Sequence, residues 1–382
     1  MFQAVFFFVV AAAAGEVPCI DISRVVKGCP SDADVAEIGE ALRTFGFFNV
    51  VNHGISDEII ARFEAAMTRL FELPDTEKAK LARTATNSRG YAANEFTKQT
   101  RDLKELYDYG HVPERSRPLD DPANRVMDGY NQVPADDPDF AAAISAYYDA
   151  CGEVCAKLLG CCARALGLEP TALDDFFRHH TSFLRLNKYP ALSAAATRYE
   201  NVREDLDRVR TDRDDAETRL DELSGLRLGV NRHFDAGALT LLLQDERVKA
   251  LQTNFNAHRD GPPHWIDVDP VPGGLTVNCG DMLQVLSNDE FKAPEHRVLA
   301  SNPGHVRYSC PFFYNPSYDA EIRPLLLRNN NNQEGGGGGP LYTPFKYGYF
   351  RRRRFEGDFE DEGKPEIQIS HFRTDAPLLV GK

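Results

Sequence analysis

Hydrophobic positions in the first half of the chain alternate between strand-like and helical spacing. Residues 17–22 and Phe47–Val51 are short apolar runs that predict strands. Between them, Ser31 precedes apolar residues at positions 35, 38, 42 and 45, which predicts a helix with a serine N-cap. Ser56 begins a second pattern of this kind, and residues 140–166 predict a long helix. This half is therefore predicted to be mixed α/β.

The pattern changes at about residue 181, where short alternating segments are separated by Gly, Pro, Asn and Asp. They are SFLRLNKY, LTLLLQD, HWIDVDP, GLTVNCG, HRVLASN and VRYSCPFFY. Such spacing is typical of an all-β sandwich or barrel. The predicted fold class is α+β, with a double-stranded β-helix (jelly-roll) core, an N-terminal α/β region and flanking helices. Residues 345–355 are expected to form a helix that covers the barrel.

Two segments interrupt the β pattern. Residues 199–226 are highly charged, with a narrow apolar stripe and pairs such as Glu204 with Arg208. Two interpretations remain open: a solvated helix against the barrel, or a coiled coil through which the chain self-associates. Residues 329–339, NNNNQEGGGGG, predict a flexible loop.

These patterns predict four regions along the chain. Residues 1–14 are an apolar N-terminal segment, and residues 15–180 are an N-terminal region. Residues 181–320 are the jelly-roll domain with the charged helical insert at 199–227. Residues 321–382 hold the flexible loop and the C-terminal helix.

Composition narrows the partners that the chain can have. The 382 residues are 42% hydrophobic, with a net charge of −14 and a pI of about 5.2. Without a broad basic surface, nucleic acid is not an expected partner. Residues 351–354, four consecutive arginines, lie beside an acidic stretch and are interpreted as a solvated helix face. The eight cysteines lack paired CxxC units and are interpreted as small buried hydrophobes in a reducing compartment.

The apolar run at residues 5–14 bears on localisation. It is too short to span a bilayer, and no Lys or Arg precedes it as in a secretory signal. We therefore expect a cytoplasmic protein with no membrane partner. An N-terminal targeting segment remains the alternative.

His233 and Asp235 are the first candidates for chemistry. They stand in NRHFDAG, before an apolar strand, and residues i and i+2 of a strand share one face. His296, in APEHRVL, begins another predicted strand and supplies a third ligand. Two imidazoles and one carboxylate on one face of Fe(II) leave positions for a bidentate oxo-acid and dioxygen. An HxD pair alone is weak evidence for a metal site, because the pattern is frequent by chance.

Arg307 and Ser309 raise the specificity of this pattern. They form RxS eleven residues after His296, again at i and i+2. A guanidinium fork beside a hydroxyl is a natural receptor for a carboxylate. Arg307 alone would be interpreted as a surface ion pair, but the preceding HxD and His reverse that interpretation.

The order HFD, HRV, RYS, with GDMLQVLSND before the distal histidine and PFFYNP after RYS, resembles one branch of a known family. It is the plant- and fungal-type branch of the 2-oxoglutarate/Fe(II) oxygenases, similar to isopenicillin N synthase. VPCIDIS, ALRTFGFFNVVNHGIS, RGYAANE and DLKELYDYG resemble the N-terminal region of that branch. The resemblance extends from about residue 17 to 316, interrupted by the charged insert.

The resemblance implies Fe(II), 2-oxoglutarate and dioxygen as cofactors and co-substrates, and admits ascorbate as an additional one. It implies iron ligands at His233, Asp235 and His296, and contacts to 2-oxoglutarate from Arg307, Ser309, Asn187 and Tyr189, the last two in the NxY of LRLNKYP. The implied substrate pocket includes the region around Tyr91, the loops near Phe234 and the C-terminal helix.

The implied activity couples oxidative decarboxylation of 2-oxoglutarate to hydroxylation, desaturation or cyclisation of a small organic substrate. No side chain needs to act as acid, base or nucleophile. One alternative is a 2-oxoglutarate-independent iron oxidase of the same fold. Others are a non-catalytic jelly roll that binds a small molecule, and a zinc hydrolase, for which the sequence indicates no general base.

Overall fold

The structure is a computed structural model that describes residues 16–84, 86–93, 95–97, 100–111, 129–191, 228–300, 304–325, 339–359 and 367–375. The predicted segment 1–14 and the predicted insert 199–227 lie outside the described residues. So does the predicted loop 329–339, except Gly339.

Capping serines begin the helices at the predicted places. The Ser31 hydroxyl accepts from the Asp34 amide, and the Asp34 carboxylate accepts from the Ser31 amide, a reciprocal capping box. Ser56 caps the next long helix through the amide of Ile59. The described helices are α1 Ser23–Val26, α2 Asp32–Thr44, α3 Asp57–Glu72, α4 Asp75–Lys80, α5 Phe140–Ala165, α6 Asp174–Phe177, α7 Asp281–Leu286 and α8 Tyr347–Phe359, followed by the 3-10 turn Ile369–Phe372.

The described strands form two large sheets and two small ones. They are β1 Cys19–Asp21, β2 Phe47–Val51, β3 Gly90–Ala92, β4 Phe96–Thr97, β5 Thr100–Arg101, β6 Glu105–Gly110, β7 Phe183–Tyr189, β8 Leu228–His233, β9 Leu239–Gln244, β10 Leu251–Asn254, β11 Trp265–Asp267, β12 Leu275–Cys279, β13 His296–Leu299, β14 Arg307–Tyr314, β15 Glu321–Ile322 and β16 Phe345–Lys346. The large sheets have the orders β1-β2-β12-β9-β14-β7-β6-β3 and β11-β10-β13-β8. The α+β jelly-roll prediction is confirmed.

Strands β1, β2, β3 and β6 of the N-terminal region belong to the same sheet as the core strands. The helices α2 and α3 pack on α5, where Phe63 stacks on Tyr147 with ring centroids 4.1 Å apart. Helix α5 in turn packs on one face of the long sheet, and residues on the other face line the cavity described below. The division of the chain at residues 180/181 remains a prediction.

Three local predictions need correction. The C-terminal helix begins at Tyr347 rather than at residue 345, because Phe345–Lys346 pairs with Glu321–Ile322 as a strand. All eight cysteines lie in the described ranges and none is paired, but Cys19 and Cys29 are exposed, so burial is confirmed for only six. The predicted solvated arginine face is also wrong in part, as the site shows. None of the helices in the described ranges has both the length and the apolar character needed to cross a bilayer.

Candidate active site

His233 and His296 meet because their strands pair. Antiparallel β8 and β13 place these two residues opposite each other, with ring centroids 4.2 Å apart. The Nε2 atom of each ring lies 3.6 Å from Oδ1 of Asp235. One ligand atom from each of the three residues lies within 4.8 Å of the others. The expectation that Asp235 continues the strand of His233 is wrong: β8 ends at His233, and Asp235 lies in the turn that follows.

Hydrogen bonds orient all three groups toward one point. Nδ1 of His233 lies 2.8 Å from the Asn231 carbonyl, and Nδ1 of His296 lies 3.1 Å from the Pro294 carbonyl. Because a carbonyl only accepts, each Nδ1 carries the proton and each Nε2 keeps its lone pair for a metal.

The second oxygen of Asp235 is held in the same way. Oδ2 accepts hydrogen bonds from the Thr240 hydroxyl at 2.6 Å and from the Asn278 amide at 2.8 Å. The carboxylate therefore cannot rotate freely, and Oδ1 remains directed at the two imidazoles. These two supporting residues were missed in the sequence. Polar residues inside the apolar strands LTLLLQ and LTVNC are a signal that could have drawn attention to them, since buried polar groups need partners.

The charge states suit a divalent cation. Burial favours the neutral acid of Asp235, but the neighbouring His296 and His233 and the hydrogen bond from Asn278 hold the pKa of its carboxyl well below the usual value. Burial, and then the proximity of His233, lowers the pKa of His296 to about 4. One anionic oxygen and a neutral imidazole nitrogen are thus present at neutral pH, the protonation states that metal binding requires.

Arg307 stands at another part of the same cavity. Strand β14 pairs with β7 so that Arg307 is opposite Tyr189 and Ser309 is opposite Asn187. The Arg307 guanidinium lies 5.0 Å from the Tyr189 ring centroid and is 1% exposed. Its Nη2 donates to Gln244 Oε1 at 3.3 Å, whereas its Nε and Nη1 make no hydrogen bond to any described residue. A buried cation with unused donors fits a carboxylate ligand.

Both sheets contribute to this cavity, which encloses about 1100 Å³ including its open mouth. All seven predicted site residues line it: His233, Asp235, His296, Arg307, Ser309, Asn187 and Tyr189. Phe234 also lines it, as expected. The described lining does not include Tyr91, whose hydroxyl donates to Glu105 at 2.8 Å.

The C-terminal helix α8 reaches the cavity through two arginines. Arg351 and Arg354 are 9% and 4% exposed and both line the cavity, so they are not on the predicted solvated face. Arg354 donates to the carbonyl of Phe234 at 2.9 Å and to the carbonyl of Ile367 at 2.8 Å. The helix therefore contacts the turn between His233 and Asp235 directly.

Comparison with known proteins identifies the family to which the chain belongs. A family model described as the 2OG-Fe(II) oxygenase superfamily, where 2OG is 2-oxoglutarate, matches residues 198–316. Another, the non-haem dioxygenase in morphine synthesis N-terminal family, matches residues 17–136. Homoarginine-6-hydroxylase 2-ODD-C23.1 of Arabidopsis thaliana is 30% identical over 322 residues, 81% of this chain and 87% of the relative. The chain belongs to the 2OG-Fe(II) oxygenase superfamily.

Solved structures show the same fold. This oxygenase superposes on a full-length Neurospora crassa protein in complex with alpha-KG with a TM-score of 0.67 at 22% identity, covering 89% of this chain and 96% of the other. It superposes on JOX2 in complex with 2OG, Fe and JA with a TM-score of 0.66 at 27% identity, covering 88% and 84%. As a member of the superfamily, the protein is an Fe(II)- and 2OG-dependent oxygenase.

Proposed function

We propose that His233, Asp235 and His296 hold Fe(II), and that Arg307 binds the distal carboxylate of 2OG. The observation that carries this proposal is the convergence of two imidazole nitrogens and one carboxylate oxygen within 4.8 Å, in a cavity that also contains a buried guanidinium with unused donors. Two histidines and one carboxylate are the ligand set of non-haem iron oxygenases with open coordination positions.

In this proposal, the residues of the chain bind and orient the iron and 2OG, and they exclude water from the cavity. Arg307 offers its guanidinium to one end of 2OG, with the hydroxyl of Ser309 on the same strand face and Asn187 and Tyr189 on the paired strand. Oδ1 of Asp235 and the two Nε2 atoms fix the position of the metal. When bound, iron and 2OG supply the oxidising chemistry, in which 2OG is decarboxylated as a substrate C–H bond is oxidised.

The substrate is proposed to be a small organic molecule, and hydroxylation is the proposed outcome. One relative is named a homoarginine-6-hydroxylase, and the JOX2 structure is described as a complex with JA. Both names support a small molecule in the cavity. Aliphatic and aromatic residues among the lining, such as Phe183, Val230 and Phe313, favour a substrate with an apolar part.

The test is equilibrium binding of 2OG to the Fe(II)-loaded protein without oxygen. Wild type should bind one 2OG per chain. Arg307→Gln should lose roughly ten- to a hundredfold in affinity, because a charge-assisted pair is removed, while iron binding is retained. Arg307→Lys should recover part of the loss, since an ammonium keeps the charge but not the fork.

Arg69→Gln provides the matched control, because this arginine is half-exposed and pairs with Asp137 outside the cavity. It should bind 2OG as wild type does. Iron binding without any 2OG binding in wild type would favour an oxidase that does not use 2OG. Equal 2OG affinity in wild type and Arg307→Gln would contradict the role of Arg307.

A further inference from the structure

The paired strands β8 and β13 end at the proposed metal site. Their last pair is His233 with His296, and Asp235 follows in the turn beyond β8. The ends of paired strands open more readily than their interiors. The two imidazoles therefore lie where the pairing of their own strands supports them least.

Strand β8 is irregular just before His233. Between the pair formed by the two histidines and the preceding pair, Val230 with Val298, β8 advances three residues and β13 only two. One extra residue of this kind is a β-bulge, which changes the direction of the side chains beyond it. Val230 and His233 consequently both line the cavity, although residues three positions apart on a regular strand face opposite sides.

The hydrogen bonds that orient the two imidazoles do not connect the two strands. Nδ1 of each ring donates to a carbonyl two residues earlier in its own segment. These bonds fix the rotation of each ring, but they do not fix the distance between the rings. A contact from one strand to the other is needed for that.

A buried ion pair connects the two strands at this end. Nη1 of Arg232 lies 3.4 Å from Oε1 of Glu295, and these residues directly precede the two histidines. They are 8% and 7% exposed, and neither is among the described residues that line the cavity. Opposite charges at this depth attract each other more strongly than at the surface, because solvent screens them less.

Strand β10 holds Glu295 from its other side. Oε2 of Glu295 accepts from the side-chain amide of Asn254 at 3.0 Å. The backbone carbonyl of Glu295 accepts from the backbone N–H of Asn254 at 2.8 Å and from the Thr253 hydroxyl at 3.2 Å. Thr253 is itself opposite His296. The Glu295 carboxylate therefore joins β8 to β10 across β13, so Arg232 contacts a group whose position is fixed.

We propose that the Arg232–Glu295 pair is a positioning device that sets the distance between the metal-binding nitrogens of the two histidines. Each side chain acts through the histidine that follows it in the chain. A fixed separation increases metal affinity, because the two nitrogens are already placed to reach one ion. This inference rests on the proposed function, because it concerns the iron site assigned there.

The experiment is a double-mutant cycle on metal affinity. Wild type, Arg232→Met, Glu295→Gln and the double variant are titrated with Fe(II) without oxygen. Each single variant should bind Fe(II) roughly tenfold more weakly, because the connection between the two strands is lost. The double variant should lose about the same factor rather than roughly a hundredfold, since both changes remove the same interaction.

A single change can leave a buried charge without its partner and unfold the chain. The double variant avoids that outcome, because it removes both charges of the pair together. Its Fe(II) affinity is then compared directly with that of wild type. Arg232→Lys should regain part of the affinity lost in Arg232→Met, because it keeps the positive charge without the planar guanidinium.

Two measurements separate positioning from a general loss of stability. The visible absorption of bound Co(II) reports the number and arrangement of its ligands, and its bands should shift in the double variant. Lys78→Met is the control, because it removes a buried lysine that pairs with Glu105 at 2.7 Å outside the cavity. It should lower the urea midpoint of the metal-free protein but leave the Fe(II) affinity and the Co(II) bands of wild type.

Wild-type Fe(II) affinity in the double variant would overturn the proposal. So would losses in the two single variants that multiply in the double variant, or an equal loss in Lys78→Met. Failure of the wild-type protein to bind Fe(II) would be a different result. It would overturn the proposed function, and the role of the ion pair with it.

Discussion

Asp235 directs only one of its carboxylate oxygens at the imidazoles, because the other accepts hydrogen bonds from Thr240 and Asn278. Such outer partners hold a ligand in its binding orientation and strengthen metal affinity. Both donors lie on neighbouring strands of the long sheet, where Asn278 is opposite Thr240. The sheet register, rather than the HxD turn alone, therefore fixes the orientation of Asp235, the carboxylate proposed to bind the metal.

Asn278→Ala tests this role. We expect the dissociation constant for Fe(II) to rise roughly ten- to a hundredfold, because Oδ2 loses one of two donors and the carboxylate gains rotational freedom. Titration with Fe(II) without oxygen measures the change, and Asn256→Ala, outside the cavity, is the control. An Asn278→Ala variant with the iron affinity of wild type would show that Thr240 alone suffices.

The sequence indicated the residues that converge in the proposed site better than the residues that support them. His233, Asp235, His296 and Arg307 stand in motifs whose order resembles a family, so they could be identified without coordinates. Thr240 is recognisable as a polar residue inside an apolar strand, but the sequence does not show that its partner is Asp235, because pairing between distant strands is not visible in a local pattern.

Helix α8 contacts the metal turn, which we define as residues 233–235 and which carries two of the proposed iron ligands. Arg354 reaches from this helix to the carbonyl of Phe234, between His233 and Asp235, and lies 3.9 Å from Asp281. The amide of Asp281 in turn donates to the carbonyl of Asp235 at 2.8 Å. Two elements distant in sequence thus each donate a hydrogen bond to the same turn.

Arg354→Gln is expected to weaken Fe(II) binding roughly tenfold, because a charge-assisted hydrogen bond to the metal turn is lost. Arg352→Gln, exposed on the same helix, should leave the affinity unchanged. Calorimetric titration with Fe(II) without oxygen compares the two variants with wild type. Equal losses in both variants would indicate a general effect of helix charge rather than the contact with Phe234.

The capping box of α2 stabilises the folded protein less as the pH falls into the acid range. The side chain of Arg24, opposed by burial and supported by Ser31, lowers the pKa of Asp34 to about 2. A lowered pKa in the folded state means that the stabilisation is present above the unfolded value of about 4 and is lost as pH falls toward 2. Because Arg24 is largely exposed, solvent screening limits the effect to about 1–2 kcal/mol.

Asp34→Asn should remove this dependence. Between pH 4 and 2, the free energy of unfolding of the variant should fall less than that of wild type, by about 1–2 kcal/mol. Denaturant titrations of the metal-free protein at a series of pH values measure the difference. Parallel curves for the two proteins would contradict the assigned role of the Arg24–Asp34 pair.

At the scale of elements, periodicity predicted helices with clear amphipathic faces. Strand β10 was not predicted, because LQTN is too polar to be recognised as a core strand. Its polar side chains are buried through specific bonds, as when Asn254 donates to Glu295 at 3.0 Å. The prediction of a solvated face for the arginines of α8 was wrong in part for a similar reason. A run of charged residues is interpreted as solvent-exposed unless the structure shows that some of them line a cavity.

For the whole molecule, the jelly-roll class followed from the alternating segments and turns, and the resemblance named the superfamily. The N-terminal strands β1 and β2 extend the core sheet beyond β12, which the sequence did not predict, because the pairing joins segments more than two hundred residues apart. Self-association through residues 199–227 and the use of ascorbate remain predictions.

The most direct test of the central claim is stoichiometric Fe(II) binding to the purified chain without oxygen. Wild type should bind one Fe(II) per chain. His296→Ala should lose that binding, because one of three converging ligand atoms is removed, whereas His305→Ala, at an exposed histidine, should bind as wild type does. Undiminished iron binding by His296→Ala, or none by wild type, would contradict the account.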